Sequence, residues 1–176
     1  MDRSNFTIHT LTTDDLYMVR DIALQTWPIS YKGMISNEQI IYMLNEMYND
    51  DALRYQREVE LAEFFIISSA SEKVGFASCG PSQKPVIYKL HKLYVLPHIQ
   101  KSGAGSELLN HCINFSRLNG ANEMFLQVNR RNAAVAFYRR HGFSIDREEK
   151  FDIGSGFVMD DYIMKIAISA PDASQF

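Results

Sequence analysis

The residues with the clearest chemical potential form a glycine-rich turn, Gln100-Lys101-Ser102-Gly103-Ala104-Gly105, between a predicted strand and a predicted helix. Glycines let a ligand approach the backbone closely, and the first N–H groups of a helix have no partner within it. A hydrogen bond from such a group to a charged acceptor contributes about 1.5–3 kcal/mol, whereas the helix dipole adds about 0.3–1 kcal/mol. The turn is therefore typical of an anion site built from several N–H groups.

Two common phosphate-binding loops fit this turn poorly. A Walker-type loop needs Gly-Lys-Ser/Thr after its second glycine, but Ser106-Glu107 follows here, so the lysine that reaches the terminal phosphates is missing. The dinucleotide fingerprint needs a glycine at Leu108 and a turn directly after the strand, whereas residues 97–102 intervene. From the turn alone, a glycine pair that merely begins a helix stays open as an alternative.

Two groups of residues extend this pattern along the chain. The first is Leu93-Tyr94-Val95-Leu96-Pro97, then the glycine turn, then Leu108-Leu109. The second lies downstream and comprises Asn129, Asn132, Phe137-Tyr138 and Gly142-Phe143. Together they resemble the two cofactor-side motifs of the GCN5-related N-acetyltransferases, the GNAT superfamily, in the same order. The run from Trp27 to Ile40 also resembles the polyamine (spermidine/spermine) N-acetyltransferase-like branch, through less specific residues.

The resemblance implies that acetyl-CoA lies between two strands that splay apart. The backbone of the strand would pair with the pantetheine arm, and the turn would hold the pyrophosphate through its N–H groups. The residues implied are Leu93, Tyr94 and Val95 for the arm, and Gln100, Lys101, Ser102, Gly103, Ala104, Gly105 and Ser106 for the pyrophosphate. Lys101 would also add charge near the 3′-phosphate, and Asn132 would cap the next helix and touch the cofactor. A solvated lysine and a plain helix cap would look the same in sequence.

The same resemblance places the general acid at Tyr138, which would protonate the coenzyme A thiolate as it leaves. A primary amine, with a pKa of about 10.4, must lose a proton before it attacks. Many relatives use a glutamate on the long strand for this purpose, but Lys89 stands where that acid is expected. His91 lies two residues along the strand, hence on the same face, and histidine has a reference pKa of about 6.5. We therefore predict His91 as the general base, with a bound water as the alternative.

The acceptor is expected to contact the segment from Trp27 to Tyr48, which the resemblance places across the cleft from the cofactor. Trp27 and Tyr31 are the predicted substrate-binding residues, and with Tyr48 they would enclose an ammonium group by cation–π contact. Aromatic residues at helical spacing more often belong to the core, so this alternative stays open.

The elements that position these residues follow from hydrophobic periodicity. We predict strands over residues 6–10, 64–69, 74–78, 86–96 and 124–128, and a C-terminal hairpin that turns at Gly154-Ser155-Gly156. Helices are predicted over residues 14–27, from Ser36, whose capping box ends at Gln39, and over residues 51–61, 103–119 and 133–140. This order predicts an α/β (α+β) protein with a mixed, mostly antiparallel sheet of six to seven strands flanked by helices. The resemblance makes it the GNAT fold, with a splayed strand pair that holds acetyl-CoA.

Composition bounds the remaining expectations. A chain of 176 residues suits one domain, expected at residues 1–166 before a tail at 167–176. The formal charge of −3 gives no attraction to nucleic acid or an anionic membrane, and no apolar run is long enough to span a bilayer. Cys79 and Cys112 are too few for a disulfide framework or paired-cysteine zinc site, so no metal is expected. We expect a cytoplasmic protein whose partner is a small-molecule amine, with a homodimer as an open expectation.

The sequence thus predicts an acetyl-CoA-dependent N-acetyltransferase. It would act on the primary amine of a small molecule by direct transfer in a ternary complex, with a polyamine as the first acceptor hypothesis. One alternative is a non-catalytic acyl-CoA-binding or sensor module, because Lys89 replaces the expected glutamate. Another is a peptide or protein N-terminal acetyltransferase, which would need an open groove instead of a closed amine pocket.

Overall fold

Seven strands form one sheet in the computed structural model, which describes residues 6–84 and 86–169. They are β1 (Phe6–Thr10), β2 (Glu63–Ser69), β3 (Glu72–Pro81), β4 (Ile87–Val95), β5 (Glu123–Asn129), β6 (Ser144–Gly154) and β7 (Phe157–Ala167). Their order across the sheet is β1-β2-β3-β4-β5-β7-β6, and only β4 and β5 run parallel. The predicted mixed, mostly antiparallel sheet is confirmed.

Five α-helices connect these strands. They are α1 (Tyr17–Ser30), α2 (Asn37–Met47), α3 (Asp50–Glu58), α4 (Ala104–Leu118) and α5 (Ala134–Arg140). The Ser36 cap forms as predicted, because the Gln39 N–H donates to the Ser36 hydroxyl oxygen at 3.1 Å. The prediction for α1 was wrong at both ends, since residues 13–15 form a separate 3₁₀ turn and α1 continues through Pro28. Proline has a helical φ but lacks the N–H that would bond to the carbonyl oxygen four residues earlier, so the helix passes Pro28 with one hydrogen bond fewer.

The two faces of the sheet bury separate cores. Phe64 and Ile66 of β2 pack with α1 and α2 in one core, whereas Phe65 and Ile67 pack with α4 in the other. Successive side chains of a strand point to opposite faces, so this apolar run is covered on both sides. The face that carries α1 and α2 is called the acceptor face below.

The parallel pair β4 and β5 separates partway along its length. Pairing runs from Ile87 opposite Glu123 to Leu90 opposite Leu126, and the two strands then continue without pairing to each other, to Val95 and Asn129. A β-bulge lies where the pairing ends, because Cys79 and Ser78 of β3 oppose Leu90 and Lys92, which leaves His91 as the extra residue. A bulge bends its strand and increases the twist. The predicted splayed strand pair is confirmed, and residues 91–95 and 127–129 are called the splay.

The C-terminal end of the described chain packs against the fold. Ala167 ends β7, and Ile168 is buried with its N–H donating to the Asn122 carbonyl oxygen at 2.8 Å. The predicted tail therefore begins with two residues that belong to the domain, and residues 170–176 lie outside the described residues. No helix among the described residues is long and apolar enough to cross a bilayer.

Candidate active site

Open backbone donors lie in the glycine turn and in the first turn of α4. Gly103 is the N-cap of α4 with a φ of 101°, and Lys101 also has a left-handed φ, of 66°. The N–H groups of Lys101, Gly103, Gly105 and Ser106 make no hydrogen bond to another described residue. A Cβ added at Gly103 would meet no atom within 4 Å, so open space lies beside it. The turn can hold an anionic group through its backbone.

The splay offers an open strand edge next to this turn. Leu93 and Val95 pack towards α4, whereas Tyr94 packs on the acceptor face, so the backbone edge between these side chains faces the gap. An extended chain that enters such a gap can pair with a strand edge as an added strand does. A long ligand with an anionic group at one end fits the splay and the turn together, which matches the shape and charge of coenzyme A.

Tyr138 lies on α5 with a buried ring and a hydroxyl free of protein partners. Its side chain is 8% exposed and packs beside Phe137 and Phe143. Its hydroxyl makes no hydrogen bond within residues 6–84 and 86–169. Burial raises the pKa of Tyr138 above its ordinary value, with smaller increases from Tyr31 and Cys112. The phenol therefore stays protonated at neutral pH and can donate a proton.

The start of α5 is held by Asn132, as predicted. Its side-chain oxygen accepts the Ala134 N–H at 2.8 Å. At the other end of α5, His141 links this helix to α4, with its Nδ1 2.9 Å from the Phe137 carbonyl oxygen and its Nε2 3.0 Å from the Ser106 hydroxyl. A carbonyl oxygen only accepts, so Nδ1 carries the proton and Nε2 accepts from Ser106. No residue pattern indicated this position of His141.

His91, at the bulge, is half-buried, and its imidazole ring is a weak base. Its Nε2 atom is buried with no hydrogen-bond partner among the described residues. Burial lowers the pKa of His91 to about 3, and the charges of Lys89 and Lys92 add to this effect. The ring is therefore neutral at neutral pH, with a free lone pair that can accept a hydrogen bond but holds a proton weakly.

Lys92 is a buried cation that sequence reasoning missed. Its side chain is 5% exposed, and its Nζ atom lies 4.8 Å from the centre of the Tyr48 ring. Burial lowers the pKa of Lys92 to about 7, and Lys89 lowers it further. The pKa of Lys89 is itself lowered by burial. The β4 side of the acceptor face therefore carries one lysine that titrates near neutrality, Lys92, and a second, Lys89, whose pKa is lowered.

The predicted acceptor aromatics form a packed cluster on the acceptor face. Trp27 is 1% exposed, stacks 4.7 Å from the Tyr31 ring and donates its indole N–H to the Tyr48 hydroxyl at 3.3 Å. The Tyr31 and Tyr94 hydroxyls share a hydrogen bond of 3.1 Å. Tyr31 thus reaches β4 at the splay, whereas Trp27 supports it from within the core. The Tyr48 ring already contacts Lys92.

Asp161 of β7 is the second charged residue that sequence reasoning missed. It lies opposite Asn129, the last residue of β5, and its side chain is 6% exposed. Its Oδ1 atom has no hydrogen-bond partner among the described residues. Burial raises the pKa of Asp161 to about 6, the Asp160 charge raises it further, and Lys89 lowers it.

A groove of about 470 Å³ lies beside this site, between the α1–α2 loop and the turn after β5. Ile35, Gln39 and Val158 form part of its wall. Arg131 connects the two loops, because its guanidinium donates to the Gly33 carbonyl oxygen at 2.7 Å and to the Met34 carbonyl oxygen at 3.2 Å. The acceptor face is thereby tied to the turn that leads into α5.

Comparison with known proteins identifies the family. The sequence model of the acetyltransferase (GNAT) family matches residues 17–143, and the chain belongs to this family. The family resemblance predicted from the two motifs is confirmed, and the protein is an N-acetyltransferase. The acetyl donor of the family is acetyl-CoA. This favours an enzyme over the non-catalytic module considered above.

Individual relatives agree with this assignment. The chain is 27% identical to the spermidine N(1)-acetyltransferase of Thermoplasma acidophilum over 161 residues, which cover 87% of this chain and 94% of that protein. The crystal structure of the PaiA N-acetyltransferase from Thermoplasma acidophilum in complex with coenzyme A matches with a TM-score of 0.77 at 24% identity, covering 93% of this chain and 99% of that one. The ribosomal-protein-S18-alanine N-acetyltransferase of Escherichia coli matches with a TM-score of 0.68 at 21% identity, covering 97% and 99%.

Proposed function

We propose that this chain transfers the acetyl group of acetyl-CoA to the primary amine of a small molecule, by direct attack within a ternary complex. The observation that carries the proposal is the splay, where pairing ends at Leu90 and Leu126 while β4 and β5 continue. One end of the splay meets the open N–H groups before α4, and the free Tyr138 hydroxyl lies on the helix that follows β5. When bound, acetyl-CoA supplies the reactive thioester.

The cofactor would be held mainly by backbone groups. The open edge of Leu93, Tyr94 and Val95 pairs with the pantetheine arm, as an added strand does. The turn from Gln100 to Gly105, with Ser106 behind it, binds the pyrophosphate through N–H groups that have no other described partner. Lys101 is exposed at the rim, where it adds charge towards the 3′-phosphate. Asn132 acts by holding the start of α5.

Tyr138 donates its proton to the departing thiolate. Its raised pKa keeps it protonated, and hydrogen bonding from the phenol stabilises the thiolate as the charge develops. His91 accepts a hydrogen bond from the amine or from a water through its unpartnered Nε2 atom. Because the pKa of His91 is about 3, the ring accepts this hydrogen bond without keeping a proton.

Spermidine is the first acceptor to test, because the relative that carries this name aligns with 87% of the chain. Tyr31 would contact the acceptor directly, whereas Trp27 would act through the position of the Tyr31 ring. The basic side of the acceptor face, Lys89 and Lys92, disfavours long polycations by charge repulsion. We therefore expect monoamines and diamines to compete well with longer polyamines.

A peptide N-terminus is the second candidate acceptor. The groove beside the splay favours it, because an extended segment of a few residues can lie between the α1–α2 loop and β7. An N-terminal amine also avoids the repulsion that a polycation meets. If peptides are the acceptors, their KM should depend on their second and third residues. If the site takes only the amine group, peptides that differ at these residues should have the same KM.

Coenzyme A release, measured with a panel of polyamines, amino acids, aminoglycosides and short peptides, tests the proposal. We expect saturable release with at least one small primary amine, and calorimetric binding of coenzyme A without acceptor. Tight binding of coenzyme A without release for any member of the panel would contradict an amine acceptor. The cytoplasmic location and the homodimer stay predictions.

A further inference from the structure

Asp161 is a buried carboxylate on the acceptor face. Asp161 lies two residues after Met159 on β7, and residues two apart on a strand point to the same face. Met159 packs in the core with α1 and α2, so the Asp161 side chain also points to the acceptor face. Its side chain is 6% exposed, and its Oδ1 atom has no hydrogen-bond partner in the described chain. Burying a carboxylate without a partner is costly, so such a group usually meets a cation or a ligand.

The strand register places Asp161 beside the splay. Asp161 lies opposite Asn129, beyond Leu126, the last β5 residue that pairs with β4. Burial raises the pKa of Tyr31 to about 12, and the Asp161 charge contributes to the increase. Tyr31 in turn bonds Tyr94 of β4. The carboxylate therefore lies on the acceptor face beside the β5 edge of the splay, close enough to Tyr31 and Lys89 for their charges to influence one another.

The charged groups around Asp161 do not neutralise it. Asp160, the neighbour on β7, is paired with Arg130 at 2.6 Å. Lys89 approaches from β4 and Tyr31 from the residue that follows α1, but no cation of the described residues forms an ion pair with Asp161 within 4.0 Å. The negative charge of the Asp161 carboxylate is therefore available to pair with one ammonium group.

We propose that Asp161 binds the ammonium group of the acceptor and takes its proton, and so is the catalytic base on the acceptor side. This rests on the proposed function. An N–H bond of the ammonium breaks, the proton goes to Asp161, and the electron pair stays on nitrogen. The nitrogen then bonds to the thioester carbonyl carbon as the C–S bond breaks. Tyr138 protonates the sulfur, the surplus proton on nitrogen restores Tyr138, and Asp161 releases its proton to water.

The acidity of the two candidate bases favours Asp161 over His91. With pKa values of about 6 and about 3, Asp161 holds a proton about a thousandfold more strongly. Asp161 is still mostly ionised at neutral pH and so can attract an ammonium group. His91 then serves as a hydrogen-bond acceptor for the amine.

Asp161→Asn tests the proposal, with Asp146→Asn as the control. Asp146 is a carboxylate of β6 that pairs with Lys165 and Arg147. We expect Asp161→Asn to lower kcat/KM for the amine by about 10²–10⁴-fold, to leave coenzyme A affinity unchanged, and to remove the fall in kcat/KM as pH drops through about 6. Asp146→Asn should keep the parental values.

The outcomes separate the two proposals. Parental kcat/KM in Asp161→Asn, with the acid limb of the pH profile retained, would overturn the role of Asp161 and leave the transferase intact. A parent protein that acetylates no amine would overturn both. If Asp161→Asn does not fold, the pH profile of the parent decides, because a kcat/KM that stays constant from pH 7 to pH 5 contradicts a base with a pKa of about 6.

Discussion

The cofactor side and the acceptor face of this protein are built in different ways. On the cofactor side, the proposed binding groups are open backbone groups within one contiguous stretch, residues 91–106. On the acceptor face, side chains from separate parts of the chain meet: Tyr31 just after α1, Lys92 of β4 and Asp161 of β7. Backbone recognition depends on strand ends and glycine positions, which leave a pattern in the sequence. Side-chain recognition from distant elements leaves none.

The largest expected effect separates chemistry from cofactor binding. Tyr138→Phe removes the phenol proton but keeps the ring between Phe137 and Phe143. We expect kcat to fall by about 10²–10⁴-fold, with the calorimetric Kd for coenzyme A unchanged. Tyr162→Phe, on β7, is the control and should keep the parental kcat. Full activity in Tyr138→Phe would remove the proposed acid.

The next largest effect concerns the buried Lys92 and is measured as the pH dependence of the free energy of unfolding. Lys92 has a pKa of about 7 in the fold and about 10.4 in an unfolded chain. Between these values the unfolded state binds more protons, so the stability contributed by Lys92 rises with pH and is lost as pH falls towards 7. Urea titrations measure the free energy of unfolding at pH 7.5 and at pH 9.0. Between these two pH values it should rise by about 2 kcal/mol more in the parent than in Lys92→Met. An equal rise in the two proteins would mean that the Lys92 ammonium group is exposed to water in the fold.

A smaller effect tests recognition by the backbone. Gly103→Ala puts a Cβ on a residue with a φ of 101°, which costs about 1–2 kcal/mol or shifts the turn. Gly120→Ala, at the other end of α4 with a φ of 85°, is a matched control, because neither added Cβ meets an atom within 4 Å. We expect similar losses of stability, but about a tenfold weaker Kd for coenzyme A only in Gly103→Ala, since one displaced N–H group loses about 1.5 kcal/mol. Equal Kd values would mean that the turn does not bind the cofactor.

The smallest effect concerns the contact between the two sides. Arg131→Ala removes the hydrogen bonds to Gly33 and Met34 that tie the α1–α2 loop to the turn before α5. We expect KM for the amine to rise by about threefold with kcat retained, since exposed hydrogen bonds contribute about 0.5–1.5 kcal/mol. An Arg140→Ala control should change neither constant. A change in kcat would show that the loop also orders the reacting groups.

Sequence reasoning predicted the elements and the glycine turn before α4 because both depend on local patterns. The Ser36 cap, the turn before α4 and the hairpin at Gly154 each follow from residue types within a few positions. The bulge at His91 did not follow, because no residue type encodes it. It reverses the phase of β4, so Tyr88 and Leu90 before it and Leu93 and Val95 after it all pack towards α4. Strict alternation would have placed Lys92 on the wrong face.

Asp161 could not be found for a related reason. Apolar side chains lie on both faces of β7, since Met159 and Ile163 point to one face and Tyr162 and Met164 to the other. The sequence therefore does not indicate which of two neighbouring aspartates is buried. The register with Asn129 decides it, and that register is a tertiary property.

A crystal structure of the protein with coenzyme A would test the central claim most directly. The account predicts the pantetheine arm between β4 and β5 in the splay, with the pyrophosphate oxygens about 3 Å from the N–H groups of Gly103 and Gly105. Coenzyme A bound elsewhere, with the splay closed by direct pairing of β4 and β5, would contradict it.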